Sequence, residues 1–160
     1  MIATLNEFER NMVEQIESRG WFALSVAPAT ESDDPEERFT YTVGLPYKLG
    51  WPEIVCFGLS KDTAYGLLND AIAECKNTGQ VPRDGVMLTE VIEGWPAKLI
   101  DGGGIPDSYL SSATWFARYI GTKAPPDRLQ LLWPDKAGLF PDEVGCVEDV
   151  RLAQTPVEVL

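Results

Sequence analysis

The sequence predicts an α+β domain, a mixed and mostly antiparallel sheet of about five or six strands with two or three helices packed against it. Three observations carry this expectation. Two segments place apolar residues at helical spacing and end on glycine; one alternating segment and one continuously apolar segment have strand length; and fourteen glycines and twelve prolines cut the chain into short elements. With 160 residues, 44% hydrophobic and 24% charged, one core is enough, so a single globular domain is expected over 1–160, loosening into a tail from about residue 146.

The first helix is expected over 5–19. Thr4, Leu5, Asn6 and Glu7 read as a capping box, Leu5, Phe8, Met12 and Ile16 recur on one face, and Gly20 closes the helix. Trp21 to Val26 suits a strand. Glu31, Asp33, Asp34, Glu36 and Glu37 around Pro35 form an acidic, solvated loop. Phe39, Tyr41 and Val43 alternate with Thr40 and Thr42, the period of a half-buried strand, and Gly44-Leu45-Pro46 stops it. The unbroken apolar run from Ile54 to Leu59 suits a central strand covered on both faces.

Ser60 caps the clearest helix, whose stripe is Ala64, Leu67, Leu68, Ala71, Ile72 and Cys75, with Gly79 as its terminator. Val86 to Ile92 and Ala97 to Ile100 read as two strands of a hairpin around Glu93-Gly94-Trp95-Pro96. Asp107 or Ser108 caps a third helix that runs through Ile120 to Gly121, and Leu129 to Trp133 is the last strand. Pro134 to Gly145 is rich in turn residues.

The strings Phe39-Thr40-Tyr41-Thr42-Val43-Gly44-Leu45, Pro52-Glu53-Ile54-Val55-Cys56-Phe57-Gly58-Leu59 and Leu129-Gln130-Leu131-Leu132-Trp133-Pro134-Asp135, followed by Gly138 and Phe140-Pro141, resemble an uncharacterised bacterial family. It is the domain-of-unknown-function family four-two-six-two, and the resemblance runs from about Gly20 to Gly145. It implies a bacterial or phage origin and a stand-alone small domain, and brings no catalytic residues with it. Members often carry histidine near the first strand and tryptophan after the Phe-Pro pair, where this chain has Trp21 and Phe22, then Asp142.

Composition excludes several functions. A net charge of −12 repels polyanions, so DNA is not an expected partner. No uncharged apolar run of about 18 residues occurs, and Glu7, Glu9, Glu14 and Glu17 punctuate the start, so neither a membrane span nor a signal peptide is expected. Cys56, Cys75 and Cys146 are odd in number and form no CxxC pair, which fits a reducing cytoplasm rather than a disulfide framework or a zinc site. Cys56 and Cys75 fall on core positions, and Cys146 is expected to be exposed. The absence of histidine removes Ser-His-Asp, Cys-His and imidazole-zinc chemistry, so no catalytic residue, metal or cofactor is assigned. Gly102-Gly103-Gly104 lacks the following Lys-Ser/Thr of a phosphate loop and reads as a connector.

The binding candidates are aromatic and hydroxyl-bearing. On the third helix, Trp115 lies three residues before Arg118 and four before Tyr119, so a ring face and a guanidinium share one patch. Amides near Ser111 and Ser112 can add donors for an anion. Tyr41 and Thr42 place hydroxyls beside Gly44, where close approach is possible, and Trp133 with Asp135 opens the last motif. Together they point to a non-catalytic domain binding a planar, anionic small molecule, a nucleotide-like metabolite or signal that it could sequester. The alternative is an acidic protein-interaction or inhibitor module engaging a basic protein. A third reading uses Glu53, Glu90 or Asp135 as an enzymatic carboxylate. A homo-oligomer stays open.

Overall fold

The computed structural model describes residues 4–26, 38–92 and 95–155. The acidic loop and the Glu93-Gly94 turn lie outside the described residues. The first helix, α1 (Glu7–Arg19), starts two residues later than expected. Asn6, not Thr4, is its cap: the Glu9 amide donates to Asn6 Oδ1 at 2.7 Å and the Asn6 amide to Glu9 Oε1 at 3.0 Å. Both caps have a glutamate at the third helical position, Glu7 for Thr4 and Glu9 for Asn6, and asparagine caps at least as well as threonine. Gly20 ends the helix at φ 99°, its amide donating to the Ile16 carbonyl.

Six strands form one sheet: β1 (Phe22–Val26), β2 (Phe39–Val43), β3 (Glu53–Phe57), β4 (Met87–Ile92), β5 (Trp95–Asp101) and β6 (Arg128–Leu132), in the order β1-β2-β3-β6-β5-β4. Only β3 and β6 run parallel, with Ile54 beside Leu129; the other four pairings are antiparallel. Pro96 is tolerated inside β5 because it falls where the β4 register shifts and before β5 begins to pair with β6 at Lys98.

Helices cover both faces of the sheet. Ile54 and Cys56 of β3 join Leu88, Leu99 and Leu131 under α3 (Lys61–Thr78), which contributes Ala64, Leu68, Ala71 and Ile72. Val55 and Phe57 point the other way, into a second core with Met12 and Ile16 of α1 and Ala113 and Phe116 of α4 (Ser111–Tyr119). All five β3 residues are buried, as its apolar run requires, whereas β2 buries Thr40 and Thr42 by pairing their hydroxyls with Ser25 and Glu53. A 3-10 turn, Asp107–Leu110, leads into α4.

Two short helices depart from the expectation. Leu45 to Leu49 forms α2 instead of merely ending β2: Gly44 at φ 102° reverses the chain, Pro46 is tolerated in the first turn, and Gly50 at φ 71° closes it. The segment from residue 146 is not loose up to Thr155. Glu148 to Ala153 forms α5, and Gln154 beyond it is 3% exposed. No helix among the described residues is long and apolar enough to cross a membrane.

Candidate functional site

The motif at the end of β2 folds into an enclosed corner. Thr42 is fully buried; its hydroxyl accepts from the Ile54 amide and donates to Glu53 Oε1 at 2.8 Å. The Gly44 amide donates to Glu53 Oε2 at 2.8 Å and the Leu45 amide to Oε1 at 3.3 Å. Glu53 thus caps α2, and burial pushes its carboxyl up to about 8 while these three donors pull it down. Tyr41 is also fully buried, and its hydroxyl accepts from the Ser112 amide at 3.0 Å. A Cβ at Gly44 would stand 2.8 Å from Cγ2 of Ile16, so α1 already fills the space glycine leaves. Tyr41, Thr42 and Gly44, expected to face a ligand, are therefore occupied by the protein's own groups. Alternation on a strand places every second residue inward, and here β2 is covered on both faces.

Helical spacing on α4 does bring Trp115 and Arg118 together. They line an open hollow of about 320 Å³ with Asp107, Ser108, Ser111 and Thr114. Tyr119 is not part of its wall; it stacks on Trp115 instead, centroids 5.3 Å apart and planes within 10°. The Ser112 amide is taken by Tyr41, so it gives the hollow no donor. Asp107 is held at 2.6 Å by the buried Arg128, which draws part of its negative charge away from the hollow, while Arg118 is exposed and has no ion pair among the described residues. Thr114 Oγ1 is enclosed and has no hydrogen-bond partner among the described residues. Such a group costs about 1–3 kcal/mol unless something pairs with it.

Trp133 and Asp135 lie elsewhere, in a cleft of about 250 Å³ with Leu59, Thr63, Leu67, Trp95, Pro134 and Lys136. Trp133 Nε1 donates to the Phe57 carbonyl at 2.8 Å. Asp135 accepts from the Ala137, Leu139 and Val147 amides, and these bonds hold its carboxyl below the usual carboxylate range. Trp95, Lys136, Ser108 and Thr114 were not among the residues singled out from the sequence. Ser111 and Thr114 carried a usable signal, since they stand four residues before Trp115 and Arg118; Trp95 meets Trp133 only through the β5-β6 pairing.

A third hollow, about 470 Å³, is lined by Pro52, Asp101, Asp107, Pro125, Asp127 and Arg128 among others. Its arginine is committed to Asp107 and to the Ile105 and Pro126 carbonyls, so it has little to offer an anion. Gly102 of the glycine run packs against that arginine, where a Cβ would meet its Cγ at 3.0 Å. The three thiols are free and buried; Cys146, expected at the surface, is 6% exposed. Burial drives Cys56 up to about 12 and raises Cys75 and Cys146. No group of three or more ligating side chains stands together for a metal among the described residues.

A family model described as Domain of unknown function (DUF4262) matches residues 15–147, and the chain belongs to that family. No curated protein and no solved structure matches it.

Proposed function

We propose that the protein is a non-catalytic binding domain for a planar, anionic small molecule, a nucleotide-like metabolite or signal, taken up in the α4 hollow. The observation that carries this reading is the hollow in which Trp115 and an Arg118 without an ion pair among the described residues stand beside Ser108 and Ser111. A phosphate or carboxylate would accept from Arg118 and the hydroxyls while a flat ring lies on Trp115. With no histidine in the chain, the hydroxyls of the site have no imidazole base to activate them, and no thiol lines it, which favours binding over turnover. The free thiols fit a reducing cytoplasm as the place where it acts.

Isothermal titration against a panel of mono-, di- and cyclic nucleotides tests this. A charge-assisted hydrogen bond is worth about 1.5–3 kcal/mol, so Arg118→Gln should weaken the best ligand by roughly 10- to 100-fold. Silence across the panel at millimolar concentration, or binding that Arg118→Gln leaves unchanged, would sink the reading.

The net charge of −12 favours a second reading, docking of a basic protein. Such association should weaken steeply with salt. A pull-down at low ionic strength that recovers no basic partner counts against it.

A further inference from the structure

We infer that the cleft between Trp95 and Trp133 is a second binding site, separate from the α4 hollow, and that it takes a small, apolar, ring-bearing monocarboxylate. Its walls are apolar and fixed. The Gln154 side chain clasps the Trp133 main chain, accepting from its amide at 2.9 Å and donating to its carbonyl at 2.8 Å. Trp95 lies over Gly138, close enough that a Cβ there would meet the ring at 3.2 Å. Leu59, Leu67 and Pro134 complete the apolar lining. Walls held this way lose little freedom when a ring enters.

Most of the polar side-chain atoms of these walls are already engaged. Trp133 Nε1 donates to Phe57, both oxygens of Asp135 accept from main-chain amides, and the Thr63 hydroxyl pairs with Ser60 at 3.0 Å. A ring with a polar edge would therefore lose water and find no free side-chain acceptor in Trp133, Asp135 or Thr63, at a cost of about tenfold in affinity for each stripped donor. That argues against a nucleobase here and for a hydrocarbon ring. The charged lining group that remains available is Lys136, exposed and without an ion pair among the described residues. It supplies donors and a single positive charge, while the charge of Asp135 is turned into its three amides. One carboxylate matches that lysine. The volume of about 250 Å³ lies below the usual range for drug-sized ligands, so the occupant is small.

The test is a titration of the ¹⁵N-labelled full chain, following the five tryptophan indole signals, assigned by single Trp→Phe substitutions. The probes are 2-naphthoate, 2-naphthylmethanol, 2-naphthylmethylamine and adenosine monophosphate. Naphthoate should shift the Trp95 and Trp133 signals, leave Trp115 in place, and bind more tightly than the alcohol by up to about fivefold, the value of one exposed ion pair. Lys136→Gln, a surface change, should erase that preference. Tighter binding of the amine, a stronger response of Trp95 and Trp133 to adenosine monophosphate, or no movement of these signals with any probe overturns the inference. Because Trp115 reports the α4 hollow in the same spectra, failure at the cleft leaves the nucleotide reading standing, and the converse holds too.

Discussion

Raising the pH from about 5 to about 8 should destabilise the protein, and Glu53 is the reason. The side chain is 2% exposed, and burial moves its carboxyl from the ordinary 4.5 up to about 8 despite the pull of Thr42, Gly44 and Leu45. Unfolded, it ionises near 4.3. Between these values the folded state keeps a proton that the unfolded chain has released, so stability falls as pH rises. At about 1.4 kcal/mol per tenfold change in proton affinity, the ceiling is roughly 5 kcal/mol, comparable to the whole stability of a marginal domain. Few other groups intrude. The chain has no histidine; the shifts of Glu17 and Asp135 are downward and act in acid; those of Tyr47, Lys48 and the three cysteines belong to groups that titrate above about pH 8. Urea midpoints measured across this window should fall in the wild type and stay level in Glu53→Gln, which is neutral throughout. The amide will face the Gly44 N–H and change absolute stability, but not its pH dependence. A wild-type midpoint that rises with pH would mean the three donors outweigh burial and the carboxylate is ionised. A slope that survives in Glu53→Gln would assign it to another group.

Two substitutions test the packing that supports the sites. Gly44→Ala forces a left-handed conformation, about 1–2 kcal/mol, and drives a methyl to 2.8 Å from Ile16, roughly 1–3 kcal/mol more, so denaturation should show a loss of about 2–5 kcal/mol; an unchanged midpoint would refute the close approach. Gln154→Ala removes both clasps on the Trp133 main chain and should cost about 1–3 kcal/mol, with faster hydrogen exchange at the Trp133 amide. Unaltered exchange there would show that α5 does not hold the cleft wall.

What could be read from the sequence was what local chemistry decides. Ser60 and Gly79 bracket α3 as their capping roles require, the alternation of Phe39, Tyr41 and Val43 gives β2, and the unbroken run after Glu53 gives the doubly covered β3. Features decided by distant partners were not readable. Leu45 to Leu49 is one helical turn whose first amides are satisfied by Glu53 from the next strand. The α5 segment contains no strong helix signal and is held by contacts to β6 and to the Asp135 turn. For the candidate sites the same division applies. Trp115 and Arg118 share a face because they share a helix, whereas Trp95 and Trp133 meet only because β5 pairs with β6.

A buried carboxyl with raised proton affinity often marks an acid-base catalyst, yet Glu53 is placed to hold structure. Its oxygens already accept three bonds, and the cavity beside it is about 50 Å³, room for a water or two rather than a substrate. What it secures is the turn that carries Tyr47, whose ring packs edge-on against Phe116 of α4 at 5.6 Å. From the sheet side, the Tyr41 hydroxyl accepts from the Ser112 amide near the start of the same helix. The β2 motif that the sequence suggested would touch a ligand therefore holds α4 from beneath, and α4 presents Thr114, Trp115 and Arg118 on its outer side. A helix held near its start at Ser112 and again at Phe116 keeps the geometry of the hollow, so the ligand proposed for it would lose less affinity to ordering it.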